Sequence, residues 1–225
     1  MKSRFALLVG CFVLLASLPV FAGTITYSFG GGGGAKAASL TFGTAPTTIT
    51  AYGYVGSSSH DLYLKDTSTT EDGLGLKGQT DDEINPNQAV VFDLYNLAAQ
   101  GYTSGTFELG SLQYHSSSDD EAAVACTGGS LSSSMSSYTC GSPTVGDSAA
   151  VVQTSTVTWS EADPYVAFFT APGQTDRSGN FLVDSLTAQQ TTTTPEPATI
   201  FLLLPGLLLF GLIYRRRTGA ASLVV

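Results

Sequence analysis

From Ala198 to Tyr214 the chain carries no charge, and Arg215, Arg216 and Arg217 follow at once. Such a run has no stable place on a soluble surface. As a helix its seventeen residues, at ~1.5 Å each, span roughly 25 Å, enough for a thin bilayer. The arginines stay cytoplasmic by the positive-inside rule. At the other end Lys2 and Arg4 precede an apolar run, Phe5 to Phe21, that closes on Val20-Phe21-Ala22. Basic start, apolar middle and small residues at the −3 and −1 positions read as a secretory signal peptide cut between Ala22 and Gly23. Both basic ends face inward, so everything between them lies outside. The sequence therefore predicts a signal peptide over 1–22, an ectodomain over 23–190 and a linker over 191–197. A transmembrane helix over 198–214 and a basic cytoplasmic tail over 215–225 complete it.

The exported part is acidic. Lys36, Lys65, Lys77 and Arg177 are its only cations, against 17 of the 18 acids in the chain, and charged residues are only 12% of the whole. Phosphate binding needs clustered Lys and Arg, so a nucleic-acid partner is excluded. Anionic polysaccharide would be repelled as well unless divalent cations bridge it. Cys11 leaves with the signal peptide, and Cys126 and Cys140 remain as an even pair in an oxidising compartment. The predicted disulfide closes a loop that is mostly Gly and Ser, too floppy to hold itself. In the chain-entropy model it is worth about 3 kcal/mol. No CxxC or nearby His supports a metal pair instead.

The ectodomain reads as β throughout. Residues alternate in Thr24 to Phe29, Thr47 to Tyr54, Asp61 to Lys65, Thr106 to Tyr114 and Phe181 to Ala188. Ala89 to Tyr95 and Tyr165 to Thr170 are continuously apolar, as buried central strands are, and Val151 to Trp159 is rich in Val and Thr. Gly, Pro, Asn, Asp and Ser separate these runs. Nine or so short strands predict an antiparallel β-sandwich, jelly-roll-like, in an all-β chain flanked by its two terminal apolar helices. A short helix fits within Asn87 to Gln100.

Thr191 to Thr194 lead into Pro195-Glu196-Pro197, where two prolines around one residue force an extended backbone that a membrane enzyme can grip. Pro195-Glu196-Pro197-Ala198-Thr199-Ile200, the apolar segment and Arg215, Arg216 and Arg217 together resemble a PEP-CTERM sorting signal. The resemblance implies that the membrane enzyme exosortase recognises Pro195, Glu196 and Pro197 and processes the chain near them. It also implies export in an exopolysaccharide-producing Gram-negative bacterium. It covers only the tail and implies nothing about the fold of the rest.

Candidate chemistry is sparse. The run Gly30 to Gly34 follows a strand but precedes no helix pattern, and no acid follows to hold a ribose, so it reads as a loop. Asp81, Glu83, Asn85 and Asn87, with Asp82 among them, alternate like the oxygen ligands of a calcium loop. The glycine of an EF-hand is absent, and Phe92 stands where the closing glutamate belongs. Asp119-Asp120-Glu121 is a similar acidic run. His60 beside Asp61, and His115 among serines, are the two histidines, and no GxSxG elbow accompanies them. Trp159 with Tyr27, Tyr52, Tyr54, Tyr63, Tyr114 and Tyr165 are either a sugar-stacking platform or core and cross-strand pairs. Ice binding would require a regular threonine array, and the threonine clusters are irregular along the chain.

The expectation is a non-catalytic surface or matrix protein without a metal or cofactor. Its partners are exosortase, the export machinery, the membrane through 198–214 before processing, and exopolysaccharide. A carbohydrate-binding module, with Ca²⁺ as a conceivable aid, is the alternative from a second class, and a secreted hydrolase is a third.

Overall fold

The period-2 alternation does what the sequence leads one to expect: it builds two antiparallel sheets that share one core. The computed structural model describes residues 23–31, 33–66, 72–78, 80–112, 120–146, 152–174 and 180–191, all within one unit, Ala22–Thr191. The expected signal peptide, the spanning segment and the sorting residues lie outside the described residues. Among the described residues no helix is long and apolar enough to cross a membrane.

In chain order the strands are β1 (Thr24–Ser28), β2 (Gly34–Ala35), β3 (Ser39–Phe42), β4 (Ile49–Val55), β5 (Ser58–His60), β6 (Leu62–Lys65) and β7 (Gly73–Leu76). There follow β8 (Gln88–Asp93), β9 (Tyr102–Gly110), β10 (Ala122–Gly128), β11 (Thr139–Cys140) and β12 (Thr144–Val145). The last are β13 (Gln153–Thr158), β14 (Tyr165–Thr170) and β15 (Leu182–Gln190). One sheet runs β13-β9-β15-β7-β6-β2, with β1 also on β15. The other runs β11-β10-β14-β8-β4-β3, with β12 on β10 and β5 on β4. The expected short helix is α1 (Tyr95–Ala99), which buries Leu97 and Ala98.

The core is phenylalanine-rich and joins the sheets directly. Phe107 of β9 meets Phe168 of β14 at 4.8 Å and Phe92 of β8 at 5.4 Å between ring centroids, and Phe92 meets Phe29 at 5.1 Å. Trp159, just past β13, is buried here, and a side chain at Gly105 would collide with its ring.

Fifteen strands among the described residues exceed the nine or so expected. Most of the excess is two or three residues long and carries no periodicity to read. Three longer strands, β3, β7 and β10, were also unexpected, and two of them escaped for another reason. β7 is Gly-Leu-Gly-Leu, and glycine weakens strand propensity. Here it is required, because a Cβ at Gly75 would run into the carbonyl oxygen of Asp82, and one at Gly73 would stand 2.9 Å from that of Val183. β10 is built of small residues because its outer side lies under a folded loop. That loop also corrects the picture of a floppy Gly-Ser segment. Thr127 and Gly128 belong to β10. Between them and β11, Ser132 N–H donates to Tyr138 Oη at 2.8 Å while Tyr138 O–H donates to the Ser132 carbonyl at 2.7 Å.

Candidate functional site

Each strand of the second sheet shows one side to the core and one away from it. On β4 the core side is Ile49 and Ala51, so Tyr52 and Tyr54 point outward. Strand pairing then fixes their neighbours. Tyr52 stands opposite Val91 of β8, which stands opposite Ala167 of β14, which stands opposite Cys126 of β10. One register step away Asp93 pairs with Tyr165 and Tyr165 with Gly128. This outer side carries its own apolar cluster of Ala89, Val91, Val124, Cys126, Ala167 and Phe169. Those residues are buried because Tyr54, Tyr138, Tyr165 and Met135 pack over them. Tyr138 comes from the loop, with its ring 6.0 Å from Phe169. Gly128 makes room for it, since a Cβ there would meet the Tyr138 ring at 2.8 Å.

The result is a half-buried tyrosine surface with small apolar residues as its floor. The phenols of Tyr54, Tyr138 and Tyr165 are all held above the ordinary tyrosine value, chiefly by burial. Further contributions come from Tyr52 on Tyr54, from Tyr54 and Tyr165 on Tyr138, and from Asp93, Tyr52 and Tyr54 on Tyr165. They remain protonated across neutral pH, so each offers an apolar ring and an O–H group. Beside the surface opens a cleft of about 540 Å³. Phe169 and Met135 line its apolar side, and Asn87, Gln88, Ser133 and Ser134 are among its polar groups.

The cleft's position depends on the segment before β8. Glu83 is buried and accepts two hydrogen bonds on Oε1, from Lys65 Nζ at 2.7 Å and Ser111 Oγ at 2.8 Å. Its carbonyl accepts from Asn85 Nδ2 at 3.1 Å, and Asn85 N–H donates to Gln88 Oε1 at 2.8 Å. A buried ion pair thus anchors the wall that Pro86, Asn87 and Gln88 present.

The residues expected to carry chemistry are divided by the fold. Glu83 and Asn85 are buried, whereas Asp81 and Asn87 are exposed, both with φ in the left-handed region. Asp82 Oδ1 accepts the Gly78 N–H at 2.6 Å. Glu121 is buried and Asp119 lies outside the described residues. Among the described residues no three His, Cys, Asp or Glu side chains converge on one point. His60 Nε2 donates to the Lys77 carbonyl at 2.8 Å, and Asp61 faces Lys77 at 3.9 Å across an exposed ion pair. His115 and Tyr114 lie outside the described residues.

The aromatic set also divides. Trp159 and Tyr27 are core residues, and Tyr27 donates to the Thr47 carbonyl. Tyr63 is on the other sheet, while Tyr52, Tyr54 and Tyr165 gather as described. Tyr138, Met135 and Asp93 were not singled out in the sequence. The legible signal was the doubly apolar strand run, which marks a second covered side. Cys126 and Cys140 form the expected disulfide, between directly paired residues of β10 and β11. Gly23 accepts the Gln190 N–H on its carbonyl at 2.8 Å, and Ala22 lies outside the described residues.

A family model described as a PEP-CTERM protein-sorting motif matches residues 193–217, the stretch holding Pro195, Glu196, Pro197 and Arg215, Arg216 and Arg217. No curated protein and no solved structure matches the chain.

Proposed function

We infer from the PEP-CTERM sorting motif at the C-terminal tail that the chain is exported, by an exosortase-dependent route, to the cell surface or beyond. From that premise we propose a non-catalytic surface or matrix protein that holds exopolysaccharide on its tyrosine surface. The carrying observation is the grouping of Tyr52, Tyr54, Tyr138 and Tyr165 on one outward side of the second sheet, beside an open cleft. Sugar rings present flat C–H faces and peripheral hydroxyls. A tyrosine answers both, with its ring and its O–H. The acids of the chain and the absence of any Lys or Arg from the named surface residues favour a neutral glycan. An anionic one would need Ca²⁺ as a bridge.

Titration of the purified exopolysaccharide, with and without Ca²⁺, tests the reading. Covering roughly 50 Å² of ring at about 25 cal/mol/Å² is worth about 1.3 kcal/mol, close to a tenfold change in affinity. Tyr52→Ala/Tyr165→Ala is therefore expected to weaken binding by roughly tenfold per ring, with some loss of Tm because Tyr165 also covers the apolar floor. No binding by the unaltered chain under either condition removes the glycan reading.

Before processing, 198–214 holds the chain in the membrane with 215–225 inside. Pro195→Ala/Pro197→Ala removes both prolines of the sorting motif, and exosortase loses the element it recognises. Intact-mass measurement on washed cells and medium is expected to show the processed chain disappear in this variant. Unaltered processing would refute the role of the prolines.

A further inference from the structure

The threonines that are scattered along the chain are brought into order on the first sheet. In the strand sequence β1-β15-β9-β13, Thr26 pairs with Thr187, Thr187 with Thr106 and Thr106 with Thr156. Their neighbours Tyr27, Leu186 and Phe107 belong to the core, so this row faces away from it. A parallel row runs from Thr24 to Thr158, and another from Ser28 to Thr154. Glu108, in the last row, is the single charged residue of the three, and it accepts from Ser185 Oγ at 2.7 Å. No aromatic ring occurs in them. The Thr26 and Thr187 hydroxyls are 3.1 Å apart, so part of the row is already hydrogen-bonded across strands.

We propose that this outer side is a second glycan surface, which takes an extended, uncharged polysaccharide laid across the strands, so that one molecule cross-links two chains. The cross-linking rests on the tyrosine surface also binding glycan; the threonine surface stands by itself. Three features select the occupant. Adjacent strands are about 4.8 Å apart, close to the length of one pyranose residue in an extended chain. Each sugar laid along the central row therefore meets a new Thr hydroxyl and methyl group, over roughly 14 Å for the four strands. The three rows hold no cation, and at one end Asp184 feels the charges of both Glu108 and Asp72. An anionic polymer is therefore disfavoured. A planar ice surface would also suit a hydroxyl grid, but strands rotate by roughly 20–25° from one to the next. A flexible chain follows that ramp and a rigid plane does not.

The test uses the full chain in detergent and a soluble, uncharged β-1,4-linked glucan. Thr106→Val/Thr187→Val removes two central hydroxyls while keeping shape and strand propensity. This variant is expected to retain binding through the tyrosines but to lose the rise in light scattering that reports cross-linked glucan. Tyr52→Ala/Tyr165→Ala is expected to retain the threonine-side binding and lose the same rise. The four-fold variant is expected to bind nothing. Three results overturn the threonine surface: a valine variant that cross-links like the original, a tyrosine variant that loses all binding, or a valine variant altered in ice growth alone. Binding lost in the valine variant and unchanged in the tyrosine variant would sink the tyrosine reading and leave this one standing. Absence of any glucan binding by the original chain overturns both.

Discussion

Lys65→Met is expected to destabilise the folded unit by about 3–5 kcal/mol, the usual cost of removing one partner of a buried ion pair. The side chains of Lys65 and Glu83 are only 12% and 5% exposed, and they meet at 2.7 Å. With methionine in place, the Glu83 carboxylate keeps the Ser111 hydroxyl and loses the ammonium opposite it. Water reaches the site too poorly to replace that charge. For a unit of this size each kcal/mol moves Tm by about 2–4 °C, so thermal unfolding is expected to shift down by on the order of 10 °C. The companion variant Lys65→Met/Glu83→Gln removes the charge problem and keeps an acceptor for Ser111. It is expected to recover at least half of the loss. Equal Tm values for the single variant and the original chain would show that the pair stabilises nothing. The consequence reaches the site, because Glu83 orders the backbone leading to Asn85 and Gln88, which borders the cleft.

What could be read in advance follows from the range of the interactions concerned. Tyr165–Thr170 was legible residue by residue, since six apolar or β-prone residues between a proline and an alanine-proline turn admit little else. The antiparallel two-sheet class was legible for the same local reason. The Gly-Leu-Gly-Leu strand was not, because its glycines answer backbone atoms of Asp82 and Val183 that are distant in sequence or hidden in a turn. The tyrosine surface was half legible. Tyr52 and Tyr54 share a side by alternation alone, but Tyr165 and Tyr138 join them through pairing across β8 and β14 and through a loop that folds back. The threonine row draws one residue from each of four strands spread from Thr26 to Thr187, and nothing local marks it. The sorting tail is the opposite case. Its motif is contiguous in sequence, at residues 193–217, so it can be read without the fold.

The second large effect concerns the disulfide. Cys126→Ala/Cys140→Ala is expected to lower stability by about 3 kcal/mol, from the entropy restored to a loop of this length in the unfolded chain. In Tm that is about 6–12 °C. The structural consequence is more specific than the loss of a staple. Cys126 lies on the apolar floor of the tyrosine surface, and the loop that ends at Cys140 carries Met135 and Tyr138 over Val124 and Phe169. The loop's hydrogen bonds at Ser132 and Tyr138 hold its own shape, not its place on the sheet. Without the bridge the cover is held by the two-residue pairing of β11 with β10 and by the packing of Tyr138 and Met135, and the floor opens to water in a fraction of molecules. The double alanine variant, and the original chain under reductant, are therefore expected to bind an apolar fluorescent dye and to lose glycan affinity together. The threonine surface stands on the other sheet and is expected to keep its share of binding. A variant that loses the expected stability while leaving glycan affinity intact would show that the loop covers the floor without shaping the site.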